Sequence, residues 1–299
     1  MASSRKIATR RSPPSDVPAS YRCYGSAVTS IHNLRERLRV GLGAAFELLS
    51  LDPDYTFGFD KVTAKEARKP ELDRLSDLQD RLWAEEKQAV LVVLQGIDTS
   101  GKDGTIRKVA GAFNPQGCVV SSFKVPTPEE LSHDFLWRVH RRVPGKGLIG
   151  IFNRSHYEDV LVVRVHSLVP EDLWRVRYEQ ICNFEHLLNE TGTRIVKFML
   201  HISRDEQRER LQARYDDPAK HWKFSLGDLD ERKRWDDYMA AYQEALVRTS
   251  TEDAPWYVIP ANRKWFRNLA VARILAETLA EMAPDYPPAP DLPANLLIE

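Results

Sequence analysis

The sequence predicts an α/β fold in which a parallel five-stranded sheet is covered by helices on both faces, a three-layer α/β/α arrangement. Two observations carry this. Short apolar runs alternate along most of the chain with longer runs of helical periodicity, the order expected when parallel strands are joined by helical crossovers. One of those runs, Val90 to Leu94, breaks at Gly96 into a short polar loop reading G-x-x-x-x-G-K and resumes as a helix around Thr105.

Taken in order, residues 1–22 hold Arg5, Lys6, Arg10, Arg11 and several serines and prolines against a single acid, Asp16, so the segment reads as a disordered tail. It lacks the apolar centre of a signal peptide. Ile31, Leu34, Leu38 and Leu42, then Leu72, Leu75, Leu78 and Leu82, follow helical spacing and predict two helices before the first strand, separated by a turn-rich loop from Asp52 to Phe59. Beyond the phosphate loop, Cys118 to Phe123 reads as a strand. Thr127 with Glu130 forms a capping box opening a helix that carries Leu131, Phe135, Leu136 and Val139. Gly147 to Phe152 is the next strand, Glu171 to about Asn189 a long helix ending at Gly192, and Arg194 to Ile202 the fourth strand. Ser203 with Glu206 is a second capping box, opening a helix through Arg214; Trp256 to Ile259 is the last strand, and Asn262 begins a terminal helix through Met282. The expected organisation is thus a tail at 1–22, one domain at 23–283 and a proline-rich tail at 284–299.

Composition narrows the function. The 299 residues are 42% hydrophobic, enough for a large core, yet nothing longer than a strand or core helix is continuously apolar, so no membrane span is expected. Lys plus Arg equals Asp plus Glu at 43 each, which argues against a nucleic-acid partner and leaves any polyanion site to a local cluster. Cys23, Cys118 and Cys182 form no C-x-x-C, which points to a reducing, cytoplasmic setting and no zinc site.

The loop from Gly96 to Gly104 is the first candidate site. Gly96, Thr99, Ser100, Gly101 and Gly104 let backbone N–H groups approach phosphate oxygens, the helix N-terminus adds positive charge, and Lys102 reaches the terminal phosphates. Asp103 stands where Ser or Thr normally holds Mg²⁺, and a second acid, Asp98, lies inside the loop. Acids repel a polyanion unless a metal intervenes, so Asp98 reads as a Mg²⁺ or phosphoryl contact, the alternative being a loop cap. Asp103 also suits the first turn of a helix.

The second candidate is the polar burst Asn153 to Asp159. Asn153 stands where a metal-holding Asp is usual and could order a metal-bound water, while Arg154 can grip a phosphoryl oxygen or pair with Glu158 four residues on. His156 and Tyr157 read as core groups or as groups that support the site from behind. The third is the stretch 204–234, with nine basic against eight acidic residues, including Arg210, Arg214, Lys220 and Lys223. It reads either as a solvated helical face or as a helical lid folding cations over phosphates. Arg107, Lys108, Lys124, Arg138 and Arg141 could line a groove near the same sheet edge.

Several motifs in series, Gly96-x-Asp98-x-x-Gly101-Lys102-Asp103-Gly104, Asn114-Pro115-Gln116-Gly117, Ser122-Phe123-Lys124-x-Pro126-Thr127, Phe152-Asn153-Arg154-Ser155-His156-Tyr157-Glu158-Asp159-Val160 and Asp217-Pro218-x-Lys220-x-Trp222-Lys223, resemble the second polyphosphate kinase family from about Leu51 to Met282. The Asn-Arg-Ser-His-Tyr-Glu-Asp form resembles its class III, which phosphorylates nucleoside mono- and diphosphates. The resemblance implies a P-loop kinase-like fold and Mg²⁺-dependent transfer, with Mn²⁺ as an alternative ion, of the terminal phosphoryl group between inorganic polyphosphate and adenine or guanine nucleotides, taking AMP to ADP and ADP to ATP. It implies catalytic roles for Asp98, Lys102, Asn153 and Arg154, a metal role for Asp98 and Asn153, lid roles for Arg210, Arg214, Lys220 and Lys223, and a homodimer or homotetramer. The other functions compatible with the residues are an ATP-dependent nucleoside-monophosphate kinase and a non-catalytic polyphosphate-binding module.

Overall fold

The run Ala89–Gln95 becomes β1, buried at every position, because a strand covered on both faces tolerates only apolar or internally satisfied side chains. The computed structural model describes residues 33–42 and 46–291. The expected tail at 1–22, Ile31, Cys23 and the end of the proline-rich tail lie outside them.

In chain order, α1 is Leu34–Leu38, α2 Lys61–Glu85, then β1, α3 Lys102–Val109, β2 Cys118–Ser122, α4 Pro128–Leu131, α5 Trp137–His140 and β3 Ile149–Asn153. There follow α6 Val162–Val165, α7 Glu171–Glu190, β4 Thr193–His201, α8 Arg204–Tyr215, α9 Gly227–Lys233, α10 Trp235–Thr249, β5 Trp256–Pro260 and α11 Lys264–Met282. The five strands pair in parallel in the order β2-β3-β1-β4-β5. Helices α2, α3 and α11 pack together, as do α6, α7 and α10, and the sheet lies between the two groups. Because β1 sits between β3 and β4, the segments leaving β1, β3 and β4 emerge side by side at the carboxyl edge, where sheets of this kind bind ligands.

Several expected elements differ in detail. The first helix is a single short turn, and Leu42 lies beyond it, half exposed. The helix expected over Leu131 to Val139 is broken into α4 and α5, since the Asp134 carboxylate accepts the Leu136 N–H at 2.9 Å and competes with the helical ladder. The Thr127–Glu130 capping box is reciprocal. At α8, however, Ser203 accepts the Glu206 N–H while Glu206 turns instead to Arg210, so only half of the second box forms. The terminal helix starts at Lys264, because the Asn262 side chain instead accepts the Ser203 N–H and donates to Asp54. Among the described residues, no helix is long and apolar enough to cross a membrane.

Candidate active site

The loop after β1 is built by backbone geometry that few residues tolerate. Gly96 has φ of 144°, and a Cβ there would meet the Leu200 carbonyl at 2.8 Å; Gly101 has φ of 106°. Thr99 takes the left-handed region at φ 66° without being glycine, as does Arg154 at φ 62° on the neighbouring strand end. Such conformations cost about 1–3 kcal/mol each and gather at functional sites. Tyr242 from α10 donates no strain but a partner: its hydroxyl accepts the Gly96 N–H at 3.1 Å. Lys102 is buried at the start of α3, its ammonium donating to the Gly96 and Ile97 carbonyls at 2.5 and 3.3 Å. Burial, followed by the positive charge of Arg154, lowers its pKa.

The β1 and β3 ends bring the acids and Arg154 together. The Asp98 carboxylate accepts from Arg154 Nη2 at 2.7 Å, while Arg154 Nη1 stands 3.7 Å from Glu158. One guanidinium thus faces the expected Glu158 and, in addition, Asp98. Burial opposes the charge of Arg154, but Glu158 and Asp98 outweigh it and raise its pKa. Glu158 is itself largely buried, and burial raises its pKa against the neighbouring cations Arg154 and Lys102. Asn153 donates through Nδ2 to Asp103 at 2.9 Å, and Asp103 also faces Lys223 at 3.6 Å. Asp98, Lys102, Asp103, Asn153, Arg154 and Lys223 thus share one cluster.

The remaining expected cations divide. Arg210 lies against the phosphate loop but with its donors occupied: Nη1 bonds the Thr99 and Ser100 carbonyls at 2.9 and 3.1 Å, Nη2 those of Ala261 and Asn262, and Nε Glu206. Arg214 points inside its own segment, to the Lys223 carbonyl and Asp228 at 3.0 Å each, and Lys220 pairs with Asp217. Arg107, Lys108 and Lys124 are exposed. Arg138 is buried, bonded to the Lys124 carbonyl and close to Glu130 and Asp159, so it braces the β2 connection. Arg141 covers the Trp137 ring at 4.6 Å. His156 and Tyr157 are core groups as expected, both bonded to the buried Glu185.

Sequence reasoning missed Gln207, Tyr242 and Arg267. Gln207 donates to the Asp98 carbonyl at 3.3 Å, and Arg267 to that of Ser100 at 3.3 Å. None carries a local signal, because each reaches the loop from a helix distant in the chain.

Among the described residues, no three His, Cys, Asp or Glu side chains converge as a metal site. The oxygen donors about the cluster are the carboxylates of Asp98, Asp103 and, beside Arg154, Glu158, together with the Asn153 amide oxygen. That set suits Mg²⁺, which typically takes one or two carboxylates and completes its shell with substrate phosphates and water.

A strained phosphate loop opening a helix at the carboxyl edge of this sheet, beside a buried lysine and an acid-paired arginine, defines a phosphotransferase of the P-loop kinase type. A family model described as polyphosphate kinase 2 matches residues 59–287, and the chain belongs to that family. It is 53% identical over 266 residues to an AMP/ADP-polyphosphate phosphotransferase of Meiothermus ruber, covering 88% of this chain and 100% of the relative. It is 47% identical to an ADP-polyphosphate phosphotransferase of Rhodopseudomonas palustris, covering 84% and 92% of the two chains. The crystal structure of polyphosphate kinase 2 from Arthrobacter aurescens superposes with a TM-score of 0.84 at 48% identity, covering 87% of this chain and 93% of that one.

Proposed function

We propose that this protein is a Mg²⁺-dependent phosphotransferase moving the terminal phosphoryl group between inorganic polyphosphate and nucleotides, from AMP to ADP and from ADP to ATP. The observation that carries the proposal is the Asp98–Arg154 pair set beside Lys102 at the mouth of the phosphate loop, in a chain so similar to relatives bearing that activity in their names.

Phosphoryl transfer asks the protein mainly for positioning and for charge. The loop N–H groups and the α3 N-terminus receive phosphate oxygens, and Lys102 turns from its loop carbonyls to the transferring group. Arg154, held by Asp98 and Glu158, presents a preoriented guanidinium to charge that builds on the equatorial oxygens. Asp98 and the Asn153 amide, the latter through a water, would hold Mg²⁺, with Asp103 as a further carboxylate. The ion, when bound, neutralises phosphate charge. The stretch 204–234 acts as a lid, with Lys223 crossing to Asp103, and the active form is a homodimer or homotetramer.

The test is phosphorylation of AMP, ADP, GMP and GDP with polyphosphate as the only donor, with ATP as comparison donor. Product formation from polyphosphate is expected. Phosphorylation of AMP by ATP alone would make the protein a nucleoside-monophosphate kinase, and binding without product a polyphosphate-binding module.

A further inference from the structure

Arg267 is among the more deeply buried charges of the molecule, 3% exposed on α11, and has no part in the chemistry described so far. Among the described residues, no carboxylate lies within ion-pairing distance of it. Its donors go to the Asn268 side-chain oxygen at 3.2 and 2.9 Å and to the Ser100 carbonyl at 3.3 Å. An unpaired buried cation is costly, so its place needs a reason.

The phosphate loop is shaped around this guanidinium. A Cβ on Gly101 would fall 1.8 Å from Arg267 Nη1, and one on Gly104 would stand 3.1 Å from Nη2. Both glycines of the loop's second half therefore leave room for the arginine behind it. Arg210 takes the Thr99 and Ser100 carbonyls as well, so the peptide oxygens at this bend are drawn away from the side on which the N–H groups must meet an anion.

We infer that Arg267 is a positioning residue for the phosphate loop, holding the Ser100 carbonyl from behind and supplying positive charge whose counter-ion is the phosphoryl group bound on the other side. The inference rests on the phosphotransferase reading above. Arg267 does not touch substrate; it acts through the loop. Ligand-free, the protein holds an uncompensated charge, and phosphate binding relieves it.

Two substitutions in the full chain separate this role from simple packing. Asn268→Asp supplies the missing carboxylate at the oxygen Arg267 already contacts, and Arg267→Met removes the charge. Each is expected to leave the ligand-free protein as heat-stable as wild type or more so, because an unpaired buried charge has been neutralised. Each is also expected to raise the KM for polyphosphate about tenfold, with little change in the KM for ADP. Arg267→Lys, which keeps the charge, should recover most of that loss. The inference is overturned if Asn268→Asp keeps its polyphosphate KM and kcat within twofold of wild type, or if its only effect is lower thermal stability. If Arg267→Met does not fold, Asn268→Asp alone decides. The wild type in the same assay separates the two readings: no transfer from polyphosphate by wild type removes the proposed function, whereas transfer with an undiminished Asn268→Asp removes only the role of Arg267.

Discussion

Lys102 shows how much one buried side chain can be asked to do. It sits at the buried start of α3, where among the described residues its ammonium is bonded to the Gly96 and Ile97 carbonyls, and its proposed working partner is a phosphoryl group. Lys102→Ala and Asp98→Ala should each yield a folded protein whose kcat falls by about 10² to 10³, the typical loss on removing one preorganised charge contact; steady-state assay with polyphosphate and ADP checks this, and near-normal turnover would remove the assignment. His201, at the end of β4, makes a separate prediction about acid. Burial lowers its pKa from 6.5 to about 4, and it is 4% exposed. The unfolded chain therefore binds more protons between those values, so the contribution is whole above pH 6.5 and is lost as pH falls toward 4. Replacing it as His201→Gln should flatten the acid limb of a urea-stability profile between pH 7 and pH 4, by an amount on the order of 3 kcal/mol.

At the scale of elements, the joint between α7, β4 and the turn after β3 is a buried polar network. Lys197 of β4 donates to Glu185 of α7 at 2.5 Å, to the Tyr157 hydroxyl at 2.8 Å and to the Thr249 carbonyl at 2.7 Å, and Glu185 also bonds Tyr157 and His156. The network anchors the turn that begins with Asn153 and Arg154. Glu185→Ala would strand the Lys197 charge and should destabilise the fold by about 3 to 5 kcal/mol, measured by denaturant unfolding. The helix expected over Leu131 to Val139 illustrates the limit of periodicity at this scale: the apolar spacing is present, but one Asp134 side chain captures a backbone N–H and divides the element.

For the whole molecule, the loop, the β3 turn and the 204–234 stretch meet at one edge, so ligand binding and folding are linked. Polyphosphate with Mg²⁺ at about 100 times its Kd should stabilise the native state by about 2.7 kcal/mol and raise the thermal midpoint by about 5 °C; Lys102→Ala should show a smaller rise in the same melting experiment. The five-stranded parallel sheet and its phosphate loop were legible because alternation of apolar runs and a glycine-lysine loop are local patterns. The contacts made by the cations were not. Arg210 and Arg214 have the expected helical spacing, yet each guanidinium ends on backbone carbonyls and one acid of its surroundings, Glu206 and Asp228 respectively. Spacing reports which residues share a face, whereas a long side chain can reach any backbone oxygen within its length.

By itself, the sequence determined the strand-helix order, the position of the phosphate loop at a strand end and the identity of the family, since each is written in contiguous residues. Only the tertiary structure decided that Arg154 faces both Asp98 and Glu158, that Asn153 holds Asp103, and that Arg267 lies behind Gly101 and Gly104 with no carboxylate partner among the described residues. Those contacts join residues 50 or more positions apart, or turn on which of several nearby acids a guanidinium faces. They are set by how β1, β3 and α11 pack, which no local pattern encodes.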